Sequence, residues 1–305
     1  MRVLVTGASG SIGSAVCAAL LERGAEVVGL SRDPERARAR GPRVHWHAWR
    51  PVDEPAPAEA VAGADAVINL VGEEINQRLT DAAKRRIYDS RVRATANLVE
   101  AIRAAPEAER PKVLVSQSAV GYYGDSGDRE LGEDAPAGDD FLARLVVDWE
   151  AAARPAEELG VRLAVVRTAP VLNPEHGLLA ELLLPFRLGL GGPLAGGNWH
   201  MPWIHRDDAV GLLLWAAEEE RASGPLNGSA PGPVTNKEFS RALGRVLGRP
   251  AVVPVPRAAV AVLRGGELAR AVTSSIRAVP RRPLELGFRF RFPEVEPALR
   301  DLLGR

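Results

Sequence analysis

A chain of 305 residues has room for one large α/β domain with an appendage, or for two modest domains. Its basic and acidic side chains balance at 39 each, so no global field would draw nucleic acid or a membrane surface, and neither is expected as a partner. Cys17 is the only cysteine, which excludes an intrachain disulfide. No apolar run reaches the roughly 18 residues of a membrane span, and residues 1–6 read as a strand rather than a secretory signal, so the expected location is the cytoplasm.

In chain order, short Val/Ile/Leu-rich runs predict strands at about 2–6, 25–31, 43–47, 65–70, 111–116 and 161–167. Helical periodicity fills the gaps at about 11–23, 80–104 and 140–159. Strand and helix in alternation predict βαβ units and a parallel sheet covered on both faces, an α/β Rossmann-type doubly wound fold. After about residue 170 the pattern changes: Leu188–Pro202 is rich in Gly and Pro and reads as a long irregular loop, followed by helices near 207–219 and 235–247 and a short helix at the end. The expected division is a domain over 1–230, with 172–205 contributing to a substrate cleft, and a small, mostly helical C-terminal region over 231–305 that caps the carboxyl edge of the sheet.

The first strand ends at Thr6 and a helical pattern starts almost at once, with Gly7, Gly10 and Gly13 between. In that context Gly7 permits the tight turn, Gly10 lets the backbone approach a pyrophosphate, and Gly13 lets helix and strand pack closely. The loop Gly7-Ala8-Ser9-Gly10-Ser11-Ile12-Gly13 therefore predicts a dinucleotide site, with the phosphates at the helix N-terminus. The second strand ends in Ser31-Arg32, a hydroxyl and a guanidinium suited to a 2′-phosphate, with Arg36 and Arg38 nearby. This favours NADP(H) over NAD(H). Asp33 competes with that reading, because a small shift would direct it to the ribose, and Arg32 as a solvated turn residue is the plain alternative.

With that loop in place the sequence resembles the extended short-chain dehydrogenases/reductases, and within them an atypical epimerase-like branch with a C-terminal domain of unknown function. The matching stretches include Val67–Glu73, Ser116–Gly124, Gly138–Leu142, Asp148–Glu150, Pro185–Pro193, Trp203–Asp208 and Pro233–Asn236. The resemblance implies further cofactor contacts at Leu70, Val71 and Gly72 after the fourth strand, Ser116 ending the fifth, and Thr168, Ala169 and Val171 after the sixth.

The resemblance also implies a serine, a tyrosine and a lysine four residues after it as catalytic groups, the cation bringing a phenol of pKa near 10 toward neutrality. Ser118 matches the serine. Phe141 and Leu145 stand where tyrosine and lysine are needed, and none of Tyr88, Tyr122 and Tyr123 has a lysine at the fourth position after it. The usual proton relay is absent, and Tyr123 is the first substitute acid, ahead of His205 and Glu74. Each has a plain alternative: packing for Tyr122 and Tyr123, helix capping for His205, solvation for Glu73 and Glu74. Arg91 takes a position where many relatives have asparagine, which suggests contact with the active-site backbone or with an anionic substrate; a surface arginine is the alternative. Gln77, Phe186, Arg187, Trp199, Met201 and Trp203 are candidates for the substrate pocket, or serve as packing. The histidines make no metal-ligand spacing. The expectation is an NADP(H)-binding oxidoreductase or epimerase-like enzyme acting on an unidentified small molecule, as monomer or homodimer; the rival is a catalytically silent sensor or scaffold.

Overall fold

The computed structural model describes residues 1–305, the side chain of Arg40 excepted. Seven strands form one parallel sheet: β1 (Arg2–Thr6), β2 (Glu26–Ser31), β3 (His45–Ala48), β4 (Ala66–Asn69), β5 (Val113–Ala119), β6 (Arg162–Thr168) and β7 (Gly224–Gly228). Their spatial order is β7-β6-β5-β4-β1-β2-β3. The order reverses between β1 and β4, and the cleft beyond the carboxyl ends of those strands is where open α/β sheets take ligands.

Thirteen α-helices accompany the sheet. Those of the first half are α1 (Ser11–Glu22), α2 (Pro34–Arg40), α3 (Ala58–Val61), α4 (Asp81–Asp89), α5 (Val92–Ala104) and α6 (Phe141–Ala153). Those of the second half are α7 (Gly177–Arg187), α8 (Arg206–Glu218), α9 (Asn236–Leu247), α10 (Arg257–Arg264), α11 (Gly266–Ala271), α12 (Arg281–Glu285) and α13 (Val295–Leu303). Side chains alternate along each strand, so the central strands bury both faces. On one face Val3, Val5, Val115 and Val166 meet Val16 and Leu20 of α1 and Leu212–Leu214 of α8. On the other, Leu4, Val28, Val67 and Leu114 meet Leu98 and Ile102 of α5 and Ala153 at the end of α6.

The six expected strands all form. The seventh, β7, reads Gly-Pro-Leu-Asn-Gly; a proline has no ladder donor and suits an edge, which is why hydrophobic periodicity missed it. The helix expected over 80–104 is two helices. Ser90 Oγ donates to Ile87 O and accepts from Glu73 N, drawing the chain out of the helical path so that α5 starts afresh after Arg91. Helix α7 was not expected, and the following stretch 188–199 is irregular apart from turns.

A second core lies beyond the sheet. Leu172, Leu179, Leu183, Phe186, Met201 and Trp203 pack against Phe239, Leu243 and Leu247 of α9 and Ala298 and Leu299 of α13. From it, α10 and α11 reach over the loop that follows β4. Arg264 donates to Asn76 O (2.8 Å), Glu267 pairs with Lys84 (2.7 Å), and Leu268 is buried among Leu79, Ile87 and Leu145.

Candidate functional site: a nucleotide cleft without a proton relay

The phosphate turn is built by exclusion of Cβ atoms. Gly7 has φ +62°, and a Cβ there would lie 2.7 Å from Leu70 O. A Cβ on Gly13 would lie 2.2 Å from Gly7 O. Both glycines are therefore required for α1 to start this close to β1 and β4. Helix α1 has no side-chain cap at Gly10 and no acid in its first turn. The N–H groups of Ser11, Ile12 and Gly13 thus have no intrahelical acceptor and sit at the positive end of the helix dipole. Beside them a concavity is lined by Ser11, Ser14, Ala15, Asn173, Glu175, His176 and Arg206. Asn173 Nδ2 donates to Ser11 Oγ (3.1 Å) and ties the loop after β6 to the turn. Asn173 and Arg206 carried no signal in the sequence, because only tertiary packing brings them to α1.

At the end of β2, Arg32 is exposed and makes no hydrogen bond or ion pair among the described residues. The competitor Asp33 is committed elsewhere: its carboxylate caps α2, accepting from Arg36 N at 3.0 Å. Ser31 Oγ accepts from Asp33 N (3.1 Å). Beyond β4, Leu70 N donates to Thr6 Oγ1, and Gly72 is exposed to the cleft. Ser116 is buried, its hydroxyl 3.5 Å from Asn69 Nδ2 in a cluster that also holds Thr95 and Trp149 Nε1. Thr168, Ala169 and Val171 follow at the carboxyl end of β6.

The residues chosen as proton carriers do not face the cleft as free groups. Ser118 is buried and donates to Glu150 Oε1 at 2.6 Å. Glu150 is held by Arg167, Nε to Oε1 at 2.8 Å and Nη2 to Oε2 at 2.9 Å. Arg167 Nη1 donates to the Tyr123 hydroxyl (3.1 Å), which donates to Asn227 Oδ1 (2.7 Å). Tyr123 is 2% exposed, and burial pushes its hydroxyl up to about 12 despite the guanidinium beside it. The expectation that Tyr123 replaces the missing acid is corrected: its phenol is a buried strut between β6 and β7. Phe141 and Leu145, in the relay positions, belong to the apolar cluster beneath Leu268.

The expected substrate pocket divides. His205 is fully buried; its Nδ1 accepts from Asp207 N (3.0 Å), capping α8, and its ring stacks on Phe292 at 3.9 Å. Burial lowers its pKa below the ordinary value. Phe186, Met201 and Trp203 are core residues, and Trp199 donates to Leu194 O to brace the loop. These four and His205 are corrected to structural roles. Glu74 is exposed and Gln77 half-buried on the loop that follows β4. Gln77 Nε2 donates to Glu73 Oε1 (3.0 Å), which also accepts from Arg86 Nε (3.0 Å), while the Glu74 carboxylate is exposed and unengaged. Arg91, 8% exposed, is no surface arginine.

This geometry is accompanied by a clear kinship. A model of the NAD dependent epimerase/dehydratase family matches residues 3–227, and one of a domain of unknown function (DUF1731) matches residues 255–302. The chain belongs to the NAD-dependent epimerase/dehydratase family. Within this family it is similar to the epimerase family protein SDR39U1 of Bos taurus, 42% identical with all of both chains covered. It is 37% identical to a chloroplastic SDR39U1 homolog of Arabidopsis thaliana, covering 99% of this chain and 87% of that one. The crystal structure of human SDR39U1 (isoform 2) with NADPH superposes with a TM-score of 0.89 at 39% identity over the whole of both chains. The chain is thus an atypical, epimerase-like member of the extended short-chain dehydrogenases/reductases. Among its described residues no helix is long and apolar enough to cross a membrane.

Proposed function

We propose that this chain binds NADP(H) in preference to NAD(H) and acts on a small molecule as an oxidoreductase or epimerase-like enzyme, without a tyrosine–lysine relay. The observation that carries the reading is the division of labour after β2: Asp33 caps α2, and Arg32 is left unengaged beside the ribose end of the cleft. The NADPH bound by the human relative supports it. In this reading the N–H groups of Ser11, Ile12 and Gly13 hold the pyrophosphate, and Arg32 with Ser31 holds the 2′-phosphate. When bound, the nicotinamide would supply hydride-transfer chemistry, with Leu70–Gly72, Ser116 and Thr168–Val171 as the residues that would hold it.

A carbonyl that accepts hydride must also gain a proton. The Ser118 hydroxyl is engaged as a hydrogen-bond donor to Glu150, Tyr123 is sealed, and Phe141 and Leu145 have no exchangeable side-chain proton. Of the sequence candidates, Glu74 alone remains as an exposed acid. The same facts favour a second reading, a silent NADP(H)-binding sensor or scaffold. Titration with NADPH and NADH, followed by nicotinamide fluorescence on wild type and Arg32→Ala, tests the first claim. NADPH affinity should fall tenfold or more in the variant; equal, weak binding of both cofactors would overturn the assignment. A screen of aldehydes, ketones, quinones and nucleotide sugars on wild type and Glu74→Gln then separates the readings, since complete silence selects the second.

A further inference from the structure

Two arginines are buried in the sheet-end region, and only one has an acid. Arg167 has both oxygens of Glu150. Arg91 has no carboxylate within ion-pairing distance among the described residues. Its Nη1 makes two long bonds, to Ile87 O at 3.3 Å and Ser90 Oγ at 3.5 Å. Its Nε is sealed without any partner. Nη2 donates to no protein group either, yet keeps solvent contact. The nearest acid, Glu73, is taken by Arg86 and Gln77. Burial lowers the Arg91 pKa to about 10, which still leaves it a cation at neutral pH.

The guanidinium has a defined seat. It lies 5.2 Å from the Trp149 ring centroid on one side. On the other it lies against Gly72, where an added Cβ would meet Arg91 Cζ at 3.1 Å and Nη2 at 3.2 Å. Gly72 is itself exposed in the cleft, just past the end of β4. Burying an unpaired cation is costly unless a ligand completes it, and Nη2, the donor that keeps solvent contact, can give a charge-assisted bond to a carboxylate or phosphate oxygen.

We propose that Arg91 is an anion-binding residue in the floor of the cleft at Gly72, taking a carboxylate or phosphate group. As a statement about substrate it rests on the proposed function and narrows the substrate to an anionic small molecule. The other source of the same chemistry is a phosphate of the cofactor.

Trp149 supplies a reporter that needs no cofactor. Oxalate and inorganic phosphate are titrated into the protein, with and without saturating NADPH, while tryptophan fluorescence is followed in wild type, Arg91→Gln, Arg91→Lys and Trp149→Phe. Saturable quenching that disappears in Trp149→Phe and weakens at least tenfold in Arg91→Gln is the expected result. Anion binding that persists with NADPH bound assigns the site to substrate; competition with NADPH, together with a tenfold loss of NADPH affinity in Arg91→Gln, assigns it to the cofactor phosphate. Anion and NADPH affinities unchanged in a folded Arg91→Gln would overturn the proposal, whereas Arg91→Lys, which keeps the charge, should retain part of the binding. Failure of wild type to bind NADPH leaves the anion titration readable and counts against the proposed function alone.

Discussion

Tyr123 shows how much a single hydroxyl can carry without taking part in chemistry. Its oxygen accepts from Arg167 and donates to Asn227, so Tyr123→Phe removes a partner from each inside a closed interior. Leaving such groups unsatisfied costs about 1–3 kcal/mol. Thermal melting should therefore move down by several degrees, while nicotinamide titrations of the folded variant match wild type. A catalytic tyrosine would behave in the opposite way, keeping stability and losing turnover. Gly13 sets a second test at this scale. With Gly7 O only 2.2 Å from an added Cβ, Gly13→Ala must push helix and turn apart, and overpacking of this kind costs about 1–3 kcal/mol. Fluorescence titration should then show NADPH affinity reduced by at least an order of magnitude, because the N–H groups of the turn no longer converge.

Among the elements, α10 and α11 are held lightly. Helix α10 buries no residue, and α11 buries only Leu268 and Ala269. Leu268→Ala should loosen the pair from α4 and α6 and hasten proteolytic cleavage within Arg257–Arg264, with melting of the sheet domain little changed; an unaltered cleavage rate would show that the Lys84–Glu267 and Arg264–Asn76 contacts suffice. Elements with a strong local signal were legible in the sequence. The six Val/Ile/Leu-rich strands and the glycine turn follow from periodicity and from backbone conformations open only to glycine. What could not be read depends on contacts distant in the chain. The strand β7 has almost no apolar pattern of its own and forms because β6 offers it a ladder. His205 and Phe186 sit in loop-and-helix sequence that suits a pocket as well as a core, and only the arrival of Phe292 and of α9 decides the matter. The Glu150–Arg167 pair, separated by 17 positions, looks like two ordinary surface charges until α6 and β6 are packed together.

For the molecule as a whole, buried titratable groups bound the range of pH in which it is stable. Burial lowers the pKa of His205, so the folded chain binds this proton less readily than the unfolded chain, whose histidine titrates near 6.5. Stability is then present above that value and declines as pH falls below it, the sign required when the unfolded state takes up more protons. Cys17 and Tyr123 close the other side. Both are pushed up to about 12 by burial, whereas the unfolded thiol and phenol ionise near ~8.5 and ~10. Stability is lost through that interval as pH rises, because there the unfolded state sheds protons that the folded state retains. Denaturant titrations from pH 5 to 11 should give a plateau near neutrality with both limbs descending, and His205→Asn should flatten the acid limb only.

The Ser118–Glu150–Arg167 cluster also sets a barrier to engineering. To free Ser118 as a proton donor, Glu150 must go, and its removal strands Arg167 in the interior; removing Arg167 first strands Glu150. Either single step exposes an uncompensated buried charge at about 3–5 kcal/mol, a large part of the ~5–15 kcal/mol that holds an ordinary domain together. Leu145, also buried, would meanwhile have to accept an ammonium group. Giving this chain a tyrosine–lysine relay is therefore a concerted redesign, since no single substitution approaches it without passing through a destabilised intermediate.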